Sequence, residues 1–134
     1  MTLAQKLDQY FIDLDWPFER CDETLWRTAF PGDLQVHEVF VSIDEPGWLS
    51  FRTMVCREIP TAVKPQVYER LLRLNALIPL TKFCVMDGGE IFAMVDLPTD
   101  DLDYTEFRAA ILTLVNHADA HDNEILAMCS PSLV

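Results

Sequence analysis

Apolar residues recur at helical spacing in three segments of the chain. The first segment begins at Thr2, which opens the T-x-x-Q pattern of a capping box, and it predicts a helix over about residues 2–14. The second segment has Pro65 at its first helical position and extends to about Leu77. The third begins at Asp103, an N-cap residue that is followed three positions later by a glutamate. The sequence therefore predicts three helices.

Between the helices, β-branched and aromatic residues separated by turn residues predict five strands. Val39 and Val41 alternate with Phe40, so one face of the second strand is predicted to pack in the core and the other to be partly exposed to solvent. The acidic, polar residues between the first helix and the first strand predict a connection. Gly88-Gly89 predicts a hairpin with a two-residue turn between the last two strands. The predicted strands cover about residues 25–30, 35–44, 48–56, 82–87 and 90–97.

The order of the predicted elements is α-β-β-β-α-β-β-α. Strands joined by short turns pair antiparallel, so this order predicts an α+β fold in which helices pack on an antiparallel sheet. A chain of 134 residues, half of them hydrophobic, is long enough to bury one core. We expect residues 1–134 to form a single domain.

Charge argues against two classes of partner. The net charge of −12 repels both the phosphates of nucleic acid and the anionic surface of a membrane. No apolar run reaches the ~20 residues that a membrane-spanning helix requires, and Lys6 and Asp8 interrupt the first apolar segment. The sequence therefore predicts a cytoplasmic protein that binds neither nucleic acid nor membrane.

Few residues suggest a catalytic or metal-binding role. His117 and His121 lie four residues apart near the end of the third helix, a spacing at which two imidazoles can hold one metal ion. The same spacing arises often by chance, and the helix macrodipole favours histidine near a C-terminus, so a structural role is preferred. His37 is interpreted as a partly exposed strand residue. With no nucleophile motif and no glycine-rich phosphate loop, the sequence predicts no enzyme, no cofactor and no bound metal.

The cysteines and the acidic residues are each interpreted structurally. Cysteines 21, 56, 84 and 129 form no C-x-x-C pair and no zinc-ligand spacing, so we expect buried, reduced thiols. Acidic residues concentrate towards the end of the chain, among them Asp100, Asp101 and Asp103. They are expected to cap the third helix and keep the protein in solution, with recruitment of a basic partner as the alternative.

Two apolar surfaces are predicted to be open. The first three strands are rich in aromatic residues, and helices one and three are expected to leave part of this sheet uncovered; alternation with core positions makes Trp26, Phe40 and Trp48 the candidates for binding a partner. On the second helix, Tyr68 and Leu72 make the apolar arc wider than packing against one sheet requires. We expect these two residues to lie in a homodimer interface.

A longer pattern resembles a known family. Residues 71–80 read LLRLNALIPL, and they are followed by Phe83, the Gly88-Gly89 hairpin and the segment Val95-Asp96-Leu97-Pro98. The pattern L-x-x-L-N-x-x-x-P, hairpin, V-x-L-P resembles the bacterial YbjN family over about residues 64–120. The resemblance implies a fold like that of type III secretion chaperones, frequent homodimers, no established catalytic residues and a regulatory or chaperone-like role.

Together these features favour a non-enzymatic, homodimeric protein-binding module, chaperone-like or regulatory, that holds a segment of another polypeptide against an exposed sheet face or edge. Two alternatives stay open. One is a small metal-binding enzyme or sensor that uses His117 and His121. The other is a regulator with a small-molecule pocket between the sheet and the third helix.

Overall fold

A computed structural model describes residues 1–44 and 46–130. The predicted order of helices and strands is confirmed, and one further strand lies between the first helix and the first predicted strand, in place of the expected polar connection. A short 3-10 turn, Thr61–Val63, leads into the second helix. In chain order the helices and strands are α1 (Leu3–Leu14), β1 (Phe18–Asp22), β2 (Leu25–Pro31), β3 (Val36–Asp44), β4 (Trp48–Cys56), α2 (Lys64–Leu77), β5 (Lys82–Val85), β6 (Ile91–Pro98) and α3 (Tyr104–Cys129).

The extra strand, β1, forms the outer edge of the sheet beside β2. Phe18 lies opposite Thr28 and stacks on Phe11 of α1, with 5.1 Å between ring centroids. The other four residues of β1 are exposed. Such a strand has no alternation of buried and exposed positions, which is why its sequence has the composition of a loop.

All six strands belong to one antiparallel sheet in the order β1-β2-β3-β4-β6-β5. The pairing of β4 with β6 joins the strands before α2 to the hairpin after it, with Phe51 opposite Val95. Side chains from these central strands lie in the core, where Phe51 contacts Phe107 of α3 at a ring distance of 5.5 Å. The helices of the described chain pack on this side of the sheet.

The third helix is longer than predicted. It continues without a break to Cys129, and Ile125 is fully buried. The apolar residues after position 124 therefore dock on the body as the last turns of α3. None of the described helices is both long and apolar enough to cross a bilayer.

Two local expectations are wrong. His37 is 1% exposed, because it lies in phase with Val39 and Val41 on the helix-covered face of β3. The β5–β6 turn is longer than two residues: the carbonyl of Met86 accepts from Gly89 N, while Met86 N donates to the Glu90 carbonyl, both at 2.8 Å. Gly89, with φ 91°, supplies the left-handed residue that this three-residue loop requires.

Candidate functional site

The sheet face opposite the helices, called the open face below, carries partly exposed apolar side chains. Phe40 lies opposite Arg52, and Arg52 lies opposite Met94, so these three side chains cross the middle of the face from β3 to β6. Met54 lies opposite Phe92 one step further along the same strands. A groove of about 500 Å³ lies on this face, and it is lined by Leu25, Gln35, Val36, Glu38, Phe40, Arg52, Met54, Met86, Glu90 and Phe92.

The chemistry of the groove suits a polypeptide segment. Its floor is formed by aromatic and methionine side chains, and methionine adapts its shape to different partners. Glu38, Arg52 and Glu90 place charges of both signs around that floor. An occupant can therefore bury apolar side chains there and meet polar groups with its backbone.

The predicted aromatic patch is not continuous. Phe40 lines the groove, but Trp48, which is 46% exposed, lies at the far end of β4 opposite Pro98. Trp48 lines a separate, smaller hollow with Asp44 and Asp96. The structure therefore puts Phe40 and Trp48 on the same face without bringing them together.

The expectation that Trp26 is open to a partner is wrong. Trp26 is fully buried because it pairs with Val41 and shares its helix-facing side of the sheet. Its indole Nε1 donates to Asp8 Oδ1 of α1 at 2.8 Å, and the Arg20 guanidinium lies 5.3 Å from the ring centroid. Trp26 is a core residue that fixes α1 on the sheet.

Sequence reasoning missed the methionines and Phe92 on the open face. The signal is present, since Phe92 and Met94 alternate with buried residues along β6 and make both faces of that strand apolar. Cys84 lies among them: its Sγ is 3.2 Å from Met94 Sδ and 3.8 Å from Met86 Sδ. Burial raises the pKa of the Cys84 thiol, so this group is a poor nucleophile.

A second apolar surface, called the α2–β5 surface below, contains the predicted interface pair. Tyr68 and Leu72 are 37% and 70% exposed on α2, beside the edge strand β5. They line a hollow of about 370 Å³ together with Leu71, Asn75, Phe83, Cys84 and Val85. The structure thus brings the two predicted residues together with a strand edge that the sequence did not link to them.

His117 and His121 do not meet a third metal-ligating group among the described residues. The ring of His121 packs edge-on against Phe83, with 6.0 Å between centroids. Burial lowers the pKa of His117, and the neighbouring His121 and Lys82 lower it further. Both histidines belong to the packing between α3 and the β5 end of the sheet.

The remaining candidates have structural roles. All four cysteines are free thiols, but Cys21 is exposed on β1, where a buried thiol was expected. Asp103 caps α3, with its Oδ1 accepting from Glu106 N at 2.8 Å. Asp100 and Asp101 lie in the turn before that cap and are exposed.

Comparison with known proteins identifies one family over nearly the whole chain. The YbjN family, described as "Putative bacterial sensory transduction regulator", matches residues 4–127. No curated protein matches the sequence.

Solved structures with the same fold include partner-bound chaperones. A chain of the Yersinia pestis type III secretion chaperone SycH in complex with a fragment of YscM2 is 19% identical, with 87% of this chain and 97% of that chain covered and a TM-score of 0.60. A chain of the Pseudomonas aeruginosa ExoU-SpcU complex is 17% identical, with 94% and 99% covered and a TM-score of 0.65. YbjN from E. coli, described as "a putative transcription regulator", is 15% identical, with 92% and 93% covered and a TM-score of 0.64. The fold is that of the type III secretion chaperones.

Proposed function

The chain belongs to the YbjN family, and from that premise we propose that it is a non-enzymatic protein-binding module, chaperone-like or regulatory. The observation that carries the proposal is the open face, whose groove of about 500 Å³ is lined by Phe40, Met54 and Phe92. A patch of this kind on a single chain is typical of a surface that another molecule covers. The occupant is an extended segment of another polypeptide.

Two observations support a polypeptide as the occupant. Chaperones with this fold were solved as complexes with partner proteins, among them SycH with a YscM2 fragment. The groove itself is lined by apolar side chains and by the charged Glu38, Arg52 and Glu90, which fits a segment with apolar side chains and a polar backbone.

The protein acts as a homodimer through the α2–β5 surface. Leu72 is 70% exposed and Val85 39%, so both leave apolar area in water unless a second copy covers them. The four free thiols fit the reducing environment of the cytoplasm, where we place the protein.

Site-specific photo-crosslinking in the native cytoplasm tests the open face. A photoreactive phenylalanine analogue replaces Met54 on the open face and, as a matched control, Arg108 on the exposed side of α3. We expect one polypeptide to be captured from position 54 and not from position 108, and to be lost when Phe40→Ser is added. Equal capture at both positions, or capture from 108 alone, contradicts the proposal.

Salt dependence of binding then separates apolar from electrostatic recognition. The captured segment is made as a peptide, and its affinity is measured at two ionic strengths for the protein, Phe40→Ser and Asp101→Asn. Burial of apolar area at about 25 cal/mol per Å² depends weakly on salt, whereas exposed charges are screened over ~8–10 Å. Binding that survives Phe40→Ser but is abolished by Asp101→Asn would assign recognition to the acidic end.

A further inference from the structure

A cluster of three titratable side chains, two buried and one partly exposed, lies where the β2–β3 turn meets α3, on the opposite side of the sheet from the open face. His37 projects from β3, and Asp119 and Asp122, three residues apart, project from one side of α3. His37 Nε2 lies 3.2 Å from Asp119 Oδ1 and 3.4 Å from Asp122 Oδ2. His37 and Asp122 are each 1% exposed.

The hydrogen-bond donors around the two carboxylates do not satisfy all of their oxygen atoms. A single imidazole nitrogen carries at most one proton, so His37 Nε2 cannot fully satisfy both aspartates. Asp122 Oδ2 also accepts from Gln35 Nε2, at 3.2 Å, but Asp122 Oδ1 is buried and has no hydrogen-bond partner in the described chain. A buried carboxylate is costly unless a cation or several donors face it.

The spacing of the three groups fits a metal ion. In a tetrahedral site with bonds of about 2.0 Å, ligand atoms are separated by about 3.3 Å. The two separations at His37 Nε2 are 3.2 and 3.4 Å, and the three ligand atoms all lie within 4.8 Å of one another. Both separations at His37 Nε2 therefore match the spacing that Zn–N and Zn–O bonds of about 2.0 Å require.

The groups around the cluster orient its carboxylates. The backbone N of Asp33 donates to Asp119 Oδ1 at 2.9 Å, in addition to the bond from Gln35 to Asp122. Gly32 lies directly over the cluster: a methyl group there would overlap Asp119 Oδ1 and come within 2.8 Å of His37 Nε2. Hydrogen bonds of this kind around a metal site hold the ligands in place.

We propose that His37, Asp119 and Asp122 bind a first-row divalent cation, with Zn²⁺ as the best match to one imidazole and two carboxylates. The bound ion neutralises the two carboxylates, of which Asp122 is buried and Asp119 partly exposed, and ties the β2–β3 turn to α3. None of the three ligands lines the groove on the open face, so the proposal does not depend on the proposed function.

Calorimetric titration of the chelator-treated protein with ZnCl₂ tests the site. We expect saturable binding of one ion per chain and a rise in melting temperature, since a ligand that binds only the folded state stabilises it. Asp122→Asn keeps the shape of the side chain and removes its charge, and because Asp122 is a direct ligand it should weaken binding by more than the roughly 100-fold that loss of an outer-shell partner costs. The control His121→Gln, on the same helix but outside the cluster, should bind as the unaltered protein does.

Two results would overturn the proposal. If the unaltered protein takes up no zinc at one ion per chain, the cluster is a hydrogen-bonded triad only. If His121→Gln abolishes binding and Asp122→Asn does not, the ion is held elsewhere.

Cobalt provides a readout that does not depend on the folding of any variant. Co²⁺ bound by the unaltered protein at this site should give the strong visible absorption of four-coordinate cobalt, and Zn²⁺ should displace it. If only the weak absorption of hydrated cobalt is observed, the three residues do not form a metal site.

Discussion

At the scale of single residues, the pair Trp26 and Asp8 is the clearest test of the core. Asp8→Ala removes the acceptor of a fully buried indole N–H, and an unsatisfied buried donor costs about 1–3 kcal/mol. We expect the free energy of unfolding, measured in urea, to fall by about that amount. In a Trp26→Phe background the same Asp8→Ala change should cost much less, and an equal cost would contradict the pairing.

The thiols should differ sharply in reactivity. Burial, together with the adjacent Cys56, raises the pKa of Cys129 to about 12, whereas Cys21 is exposed. At pH 8 iodoacetamide should therefore modify Cys21 and leave Cys129 unmodified, as mass spectrometry of digested protein can measure. Unfolding in urea should abolish the difference, and rapid modification of native Cys129 would contradict its burial.

The raised pKa of Cys129 fixes the sign of a pH effect. Folded Cys129 holds its proton more tightly than a cysteine in the unfolded chain, whose thiol has the ordinary pKa of 9.0. Its contribution to stability is therefore complete below pH 9 and is lost as the pH rises towards 12.

The sequence predicts which face of the sheet a side chain occupies only within a single strand. The alternation of Val39 and Phe40 predicts the two faces of β3 correctly, because period two is a local property. The prediction places Trp26 on the wrong face because the register between β2 and β3 depends on the intervening turn. His37 and Asp119 are 82 residues apart, and no local pattern links them.

At the scale of elements, α2 protects the edge of the sheet. The side chain of Asn75 acts as a short piece of strand, because its Oδ1 accepts from Phe83 N at 2.8 Å and its Nδ2 donates to Phe83 O at 2.9 Å. Asn75 is the asparagine of the L-x-x-L-N-x-x-x-P pattern. The structure thus gives a physical reason for that residue in the pattern, which the sequence alone did not provide.

Asn75→Ala should be destabilising because it leaves both backbone groups of Phe83 without partners. We expect a loss of about 1–3 kcal/mol in the free energy of unfolding. The matched control is Asn116→Ala on the exposed side of α3, which should change stability little. Equal effects of the two substitutions would show that the bonds to β5 contribute nothing.

The three helices and five of the six strands could be predicted from the sequence, and the edge strand β1 could not. Apolar periodicity marks α1, α2 and α3 within the sequence; Pro65 lies in the first turn of α2, and the caps of α1 and α3 at Thr2 and Asp103 are present. The strand β1 is held by pairing with β2 and by the contact of Phe18 with Phe11, which no local pattern encodes.

At the scale of the whole molecule, the proposed homodimer makes stability depend on concentration. Melting temperature should rise with protein concentration if folding and association are linked. Leu72→Glu places a charge in the α2–β5 surface and should give a monomer by sedimentation at about tens of micromolar. Ile12→Glu, at an exposed apolar residue of α1, is the control and should leave the dimer intact. A monomeric unaltered protein would contradict the proposal.

The pairing of β4 with β6 also sets the order in which parts of the chain can fold. Phe51 meets Val95 only after the whole of α2 and β5 has been synthesised between them, and closing so long a loop costs chain entropy before any contact offsets it. Formation of this pair is therefore expected to limit the folding rate. On the ribosome, β4 has an unpaired edge until β6 emerges, and the nascent chain is most prone to aggregate during that interval.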